Sequence, residues 1–102
     1  MKRKPTRHSS LTDNAARVVA ALRRAGFRPH PGPISGRFGG GGTVRVKISG
    51  ESGRTRLRVA GGGVQELFLY GPVRMETVVA VIRELFGPDS LEAVVLHKNA
   101  EA

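Results

Sequence analysis

Five cations stand at alternate positions in two neighbouring segments of the chain. The first segment contains Arg45 and Lys47, and the second contains Arg54, Arg56 and Arg58. Ammonium and guanidinium groups form charge-assisted hydrogen bonds with carboxylates and phosphates, and Arg can engage two oxygens at once. The chemistry that these residues support is the binding of an anion.

The residues between the cations make each segment an alternating strand. Segment 43–48 reads TVRVKI and segment 54–59 reads RTRLRV, with the turn sequence GESG at 50–53 between them. Because strand side chains alternate between two faces, the pattern predicts a hairpin with an apolar face and a face that displays all five cations. Like charges at neighbouring sheet positions repel each other, which favours an anionic partner. The alternative is an ordinary solvated sheet face.

The positive charge is concentrated in the first part of the chain. The 102 residues carry a net charge of +9. Residues 1–60 contain 14 Lys/Arg against two acids, a balance of +12, and residues 61–102 contain three against six, a balance of −3. Such an asymmetry focuses a positive field on one part of the surface and makes nucleic acid the first partner to consider.

Further cations stand outside the hairpin. Residues 1–9 (MKRKPTRHS) include Lys2, Arg3 and Lys4 and have the composition of a disordered basic arm. Arg37 and Phe38 lie in a glycine-rich stretch, where one cation and one aromatic ring could contact a phosphate and a base. We therefore add these five residues to the candidate nucleic-acid-binding residues of the hairpin.

Two amphipathic helices and two more strands complete the predicted elements. One helix begins at a cap on Ser10 or Thr12 and ends at Gly26, and the other covers 73–86 and ends at Gly87-Pro88. Segments 64–70 and 91–96 predict strands, whereas the prolines at 29, 31 and 33 allow only a short edge strand. Within the strand at 64–70 we expect Phe68 in the core.

The element order is α-(β)-β-β-β-α-β. It predicts the α+β class, with an antiparallel sheet of three to four strands and two helices packed on one face. We expect a single domain over 10–97, preceded by the arm 1–9 and followed by a flexible tail at 98–102.

Several kinds of site are absent from the sequence. There is no Cys, and each of the three His residues stands apart from the other ligands that a metal site requires. Neither glycine-rich stretch is followed by the Lys-Ser/Thr of a phosphate-binding loop. We therefore predict a protein that is not an enzyme and has no catalytic residues, no metal site and no cofactor.

The predicted cellular location depends on the apolar runs of the chain and on its lack of Cys, which fits the reducing cytoplasm. No run approaches the ~20 apolar residues that cross a bilayer. Residues 9–13 (SSLTD) are polar where a signal peptide would have its apolar segment. We expect a soluble, cytoplasmic protein with no membrane partner.

The element order resembles that of double-stranded-RNA-binding domains, in which a basic patch at the start of the second helix contacts phosphates. Here that position reads GPVRME at 71–76, with one cation. The order is also similar to that of small toxins that cleave messenger RNA. Single-strand binders of the transcriptional-coactivator type, which present basic hairpins followed by a helix, are the closer analogy. Each resemblance concerns element order and carries no sequence motif.

The sequence predicts a non-enzymatic nucleic-acid-binding protein of weak sequence preference, with single-stranded nucleic acid or RNA slightly favoured over duplex DNA. With five to eight phosphate contacts, log K should fall with log salt at a slope of roughly −4 to −7. One alternative is a regulatory subunit that docks on an acidic protein surface, with the strand at Leu67–Tyr70 pairing with another chain or a second copy. The other is a small RNA-cleaving toxin with His30 as base and with Arg28 or Arg37 stabilising the phosphorane.

Overall fold

Two helices and five strands make up the described part of the chain, which belongs to the α+β class. The computed structural model describes residues 11–35, 43–51 and 53–96. Along the chain the elements are α1 (Asp13–Arg24), β1 (His30–Ser35), β2 (Arg45–Glu51), β3 (Arg54–Ala60), β4 (Val64–Tyr70), α2 (Met75–Phe86), a 3-10 turn (Pro88–Ser90) and β5 (Leu91–Leu96). The predicted element order is confirmed. The predicted arm at 1–9 and tail at 98–102 lie outside the described residues.

The five strands form one mixed sheet in the order β1-β4-β3-β2-β5. Three of the four pairings are antiparallel, whereas β5 runs parallel to β2. The predicted antiparallel sheet of three to four strands is therefore wrong in strand number and in the direction of β5. The physical reason is the crossover through α2, which returns the chain along the sheet after β4, so that β5 runs in the same direction as β4 and β2.

Both helices pack on one face of the sheet, as predicted. The alternation within the hairpin also holds, because its apolar side chains face the helices and are buried. The buried cluster contains Ala15, Val18, Val19, Leu22, Val46, Ile48, Leu57, Val59, Leu67, Leu69, Val78 and Ile82. Burial of these side chains is the main favourable contribution to folding. Among the residues that the structure describes, it also leaves the opposite face of the sheet without a covering layer of helices.

Local signals set the bounds of α1. Of the two predicted caps, Thr12 is the one observed: its hydroxyl accepts a hydrogen bond from the backbone N–H of Ala15 at 3.2 Å. Arg23 and Arg24 in the last turn complement the helix dipole. The chain turns away at Gly26, whose φ of +99° favours glycine.

Helix α2 has no side-chain cap at its start and a clear stop at its end. Gly87 has a φ of +98°, and Pro88 follows it. Near this end, the guanidinium of Arg17 lies 4.9 Å from the centroid of the Phe86 ring, which joins α1 to α2 by a cation–π contact.

Candidate functional site

The face of the sheet opposite the helices carries the five predicted cations, which we call the cationic face: Arg45, Lys47, Arg54, Arg56 and Arg58. Arg45 and Arg58 are exposed, and the other three are half-buried. The register places Lys47 directly opposite Arg58 on the neighbouring strand. Like charges in that position destabilise a sheet. The structure therefore brings together all five hairpin residues that the sequence selected.

A carboxylate that the sequence reasoning treated only as a turn residue also lies on this face. Glu51 accepts a hydrogen bond from Arg54 Nε at 2.8 Å on one oxygen and a hydrogen bond from Arg56 Nη2 on the other. The hydrogen bond from Arg54, with a further contribution from Arg56, lowers the pKa of Glu51 below its usual value. Glu51 follows Arg45 and Lys47 at the same strand parity, which is the signal that could have revealed it.

Arg56 contacts a second carboxylate, on β4. Its Nη1 lies 3.7 Å from Glu66 Oε2. Arg54 and Arg56 are thus partly neutralised within the protein. Among the described residues, no carboxylate pairs with Arg45, Lys47 or Arg58. None of these three cations forms an ion pair with a described residue, although the register places Arg58 opposite Glu66 on β4 as well as opposite Lys47.

Aromatic rings adjoin the cationic face, in a group that we call the aromatic cluster: His30, Phe68 and Tyr70. The ring centroids of His30 and Tyr70 are 5.2 Å apart in an edge-on arrangement, and those of Phe68 and Tyr70 are 6.4 Å apart at 28°. The guanidinium of Arg54 lies 4.8 Å from the centroid of the Phe68 ring. Cations and aromatic rings therefore form one continuous surface.

The expectation that Phe68 belongs to the core is wrong. Phe68 shares its strand parity with Glu66 and Tyr70, whereas Leu67 and Leu69 on the other parity are buried against the helices. The apolar run at 67–70 gives no parity signal by itself. The half-exposed Glu66, two positions earlier, indicates which side faces away from the helices.

Strand β1, which carries His30, pairs with β4, and the side chain of Gln65 adds a further attachment. This buried side chain accepts a hydrogen bond from Thr12 N at 2.9 Å and donates one to Gly32 O at 3.1 Å. It thereby connects the start of α1, β4 and β1. Gly32 in turn leaves space for an aromatic ring, since a Cβ there would lie 2.8 Å from Phe68 Cε2.

β4 lies inside the sheet, hydrogen-bonded to β1 on one side and to β3 on the other. A second copy cannot add a strand beside it, so only its outward side chains, such as Phe68 and Tyr70, remain for a partner. Homo-oligomerisation through the Leu67–Tyr70 segment stays a prediction, limited to contacts between these outward side chains.

Five of the ten predicted site residues fall outside the described ranges: Lys2, Arg3, Lys4, Arg37 and Phe38. Within residues 11–35, 43–51 and 53–96, no group of three or more His, Asp or Glu side chains is arranged to hold a metal ion. In the same ranges no helix is long and apolar enough to cross a membrane.

Comparison with protein-family models, with curated proteins and with solved structures finds no match to this chain.

Proposed function

We propose that this protein binds nucleic acid without catalysing a reaction on it, in the cytoplasm, through contact between the cationic face and the phosphate backbone. The observation that carries the proposal is the set of three cations without an internal carboxylate partner, Arg45, Lys47 and Arg58, two of which stand opposite each other across the hairpin. The Lys47–Arg58 juxtaposition costs stability, Glu66 opposite Arg58 offsets part of that cost, and a polyanion would offset the rest.

The kind of nucleic acid follows from where the cations lie. They lie on a sheet, whereas the start of α2 offers only Arg74. A helix that enters the major groove of duplex DNA would carry the contacts on its own surface. Contacts to phosphates give little sequence information, so we infer weak sequence preference, with single-stranded nucleic acid or RNA favoured over duplex DNA.

The test compares two double variants of equal charge. Arg45→Ala with Arg58→Ala removes two cations from the cationic face, whereas Arg24→Ala with Arg83→Ala removes two exposed cations from the helical side. Fluorescence anisotropy with labelled single- and double-stranded DNA and RNA measures the dissociation constant across a salt series. For a single strand, loss of two contacts should reduce the steepness of the log–log salt dependence by about 1.4, because each contact contributes about 0.7.

The proposal requires that the Arg45→Ala/Arg58→Ala variant show this reduction in slope. The Arg24→Ala/Arg83→Ala control should keep the wild-type slope, and circular dichroism should show that both variants are folded. Equal changes in the two variants would mean that the charge acts without a specific surface. Absence of binding to all four nucleic acids at about 150 mM salt, where generic attraction is screened, would reject the proposal and favour an acidic protein as the partner.

A further inference from the structure

Tyr70 is the most exposed large apolar side chain in the described part of the chain. Its exposed fraction is 57%, and it is the last residue of β4, beyond Phe68, where the pairing with β1 ends. The register places it directly opposite Arg54 on β3. An exposed aromatic ring beside a charged surface has no role in core packing, so another reason for its position is needed.

The ring of Tyr70 is supported by the rest of the aromatic cluster. His30 packs edge-on at 5.2 Å between centroids, with an interplanar angle of 65°, and Phe68 lies behind at 6.4 Å. Such contacts stabilise one orientation of the ring. A ring that is already oriented loses little entropy when a ligand stacks on it.

Phe68 cannot serve a ligand in the same way, because its surroundings already occupy it. The guanidinium of Arg54 lies 4.8 Å from its centroid, and the backbone of Gly32 packs against its edge. Phe68 is accordingly half-buried, whereas Tyr70 is exposed. Tyr70, like the smaller ring of His30, is thus exposed and offers a surface to a partner.

Cations flank Tyr70 on both sides. Arg54 stands on the β3 side, where the hydrogen bond to Glu51 raises the pKa of its guanidinium, with a weaker contribution from Tyr70. On the β1 side lies a shallow cleft whose lining includes Tyr70, His30 and the exposed Arg28. No carboxylate lines this cleft within the described residues. A planar group on Tyr70 would therefore have a cation in each direction along a bound chain: Arg28, and Arg54, whose charge Glu51 balances in part.

We propose that Tyr70 is a stacking site for an unpaired base of a single-stranded nucleic acid, with Arg54 and Arg28 contacting the phosphates on either side of it. In a duplex both faces of a base are covered by neighbouring base pairs, whereas a single strand can present a face to an aromatic side chain. This inference rests on the proposed function and deepens it, because it names the class of nucleic acid that the site accepts.

The test uses the composition of the chain, which contains one Tyr and no Trp. Intrinsic tyrosine fluorescence therefore reports on Tyr70 alone, and a stacked base should quench it. The probes are a short oligo(dT), an abasic oligonucleotide with the same number of phosphates, and a DNA duplex. We expect quenching by oligo(dT) at about 150 mM salt, and none by the abasic strand or the duplex.

Variants then measure how much the stacking contributes to affinity. Tyr70→Ala should weaken oligo(dT) binding by about 5- to 150-fold, the range expected for loss of one base–aromatic stack. Binding of the duplex should change less than about twofold. Tyr70→Phe keeps the aromatic face and should retain most of the affinity. Val94→Ala, at a second large apolar side chain that is exposed in the described part of the chain, is the control and should change neither affinity.

The outcomes separate this inference from the proposed function. If the abasic strand and the duplex bind as tightly as oligo(dT) and no quenching occurs, the stacking site is rejected while phosphate binding stands. If none of the three probes binds at about 150 mM salt, the proposed function fails and the stacking site fails with it. If Tyr70→Phe loses as much affinity as Tyr70→Ala, the hydroxyl group rather than the ring is responsible, which also overturns the inference.

Discussion

Glu51 determines how much of the charge of the cationic face is available to a ligand. Its two oxygens accept hydrogen bonds from Arg54 and Arg56, so two of the five cations are held by the protein itself. This pairing also orients Arg54, which contacts the Phe68 ring. A single carboxylate therefore limits the positive potential of the face and fixes the cation nearest to the aromatic cluster.

The lowered pKa of Glu51 predicts a dependence of stability on pH. Because the folded state favours the ionised carboxylate, its contribution is present above the usual pKa of 4.5 and is lost as the pH falls through the lower, folded-state value. Urea unfolding of the wild type and of Glu51→Gln across the acid range measures this. We expect the wild type to be the more stable near neutrality and the two proteins to converge in acid. A difference that persists unchanged below the folded-state pKa would contradict the pairing.

At the scale of elements, β1 depends on a small number of polar contacts. Its prolines at 31 and 33 cannot donate ladder hydrogen bonds, and its register with β4 shifts between Pro31 and Ile34. Gln65 supplies a side-chain bond to Gly32 and links the same strand to the start of α1. The position of His30 beside Tyr70 therefore depends on a residue buried on the other face of the sheet.

Replacing Gln65 by Met should destabilise the protein by about 1–3 kcal/mol, because the buried N–H of Thr12 then loses its acceptor. Chemical unfolding measures the change. Glu92→Met, which places the same side chain at an exposed position of β5, is the control and should stay within about 0.5 kcal/mol of the wild type. Equal unfolding free energies for Gln65→Met and the wild type would show that these bonds do not hold β1.

The elements that the sequence predicts correctly are those with a strong period. Val18 and Leu22 in α1, and Val46 and Leu57 in the hairpin, repeat at helical or strand spacing and are buried as that spacing requires. The parallel pairing of β5 could not be read in the same way, because the choice of neighbour depends on contacts between distant segments. Of the candidate site, the cations could be predicted from the alternation of side chains along the hairpin. The aromatic cluster could not, because it forms only when β1 pairs with β4.

The whole molecule combines a charged sheet surface with a basic N-terminal segment. The cationic face has five cations and two carboxylates, Glu51 and Glu66. Between three and five phosphate contacts on this face would give a salt slope of about −2 to −3.5 for a single strand. That is shallower than the slope of about −3.5 to −5.6 that five to eight contacts would give for a single strand when other cations take part. The difference between the two salt slopes therefore measures how many phosphate contacts the cations outside the cationic face, including those in residues 1–9, contribute.

Deleting residues 2–9 removes Lys2, Arg3, Lys4 and Arg7. Because each contact to a single strand contributes about 0.7, loss of these four cations should make the slope of log K against log salt for oligo(dT) less steep by up to about 2.8. Deleting residues 98–102 is the matched control, since that segment contains one Lys and one Glu and its loss leaves the net side-chain charge unchanged. If the slope is the same with and without residues 2–9, the N-terminal cations do not contact phosphates and the cationic face accounts for all of the binding. If the slope of the truncated chain falls to zero, the sheet surface contributes nothing and the proposal for the cationic face fails.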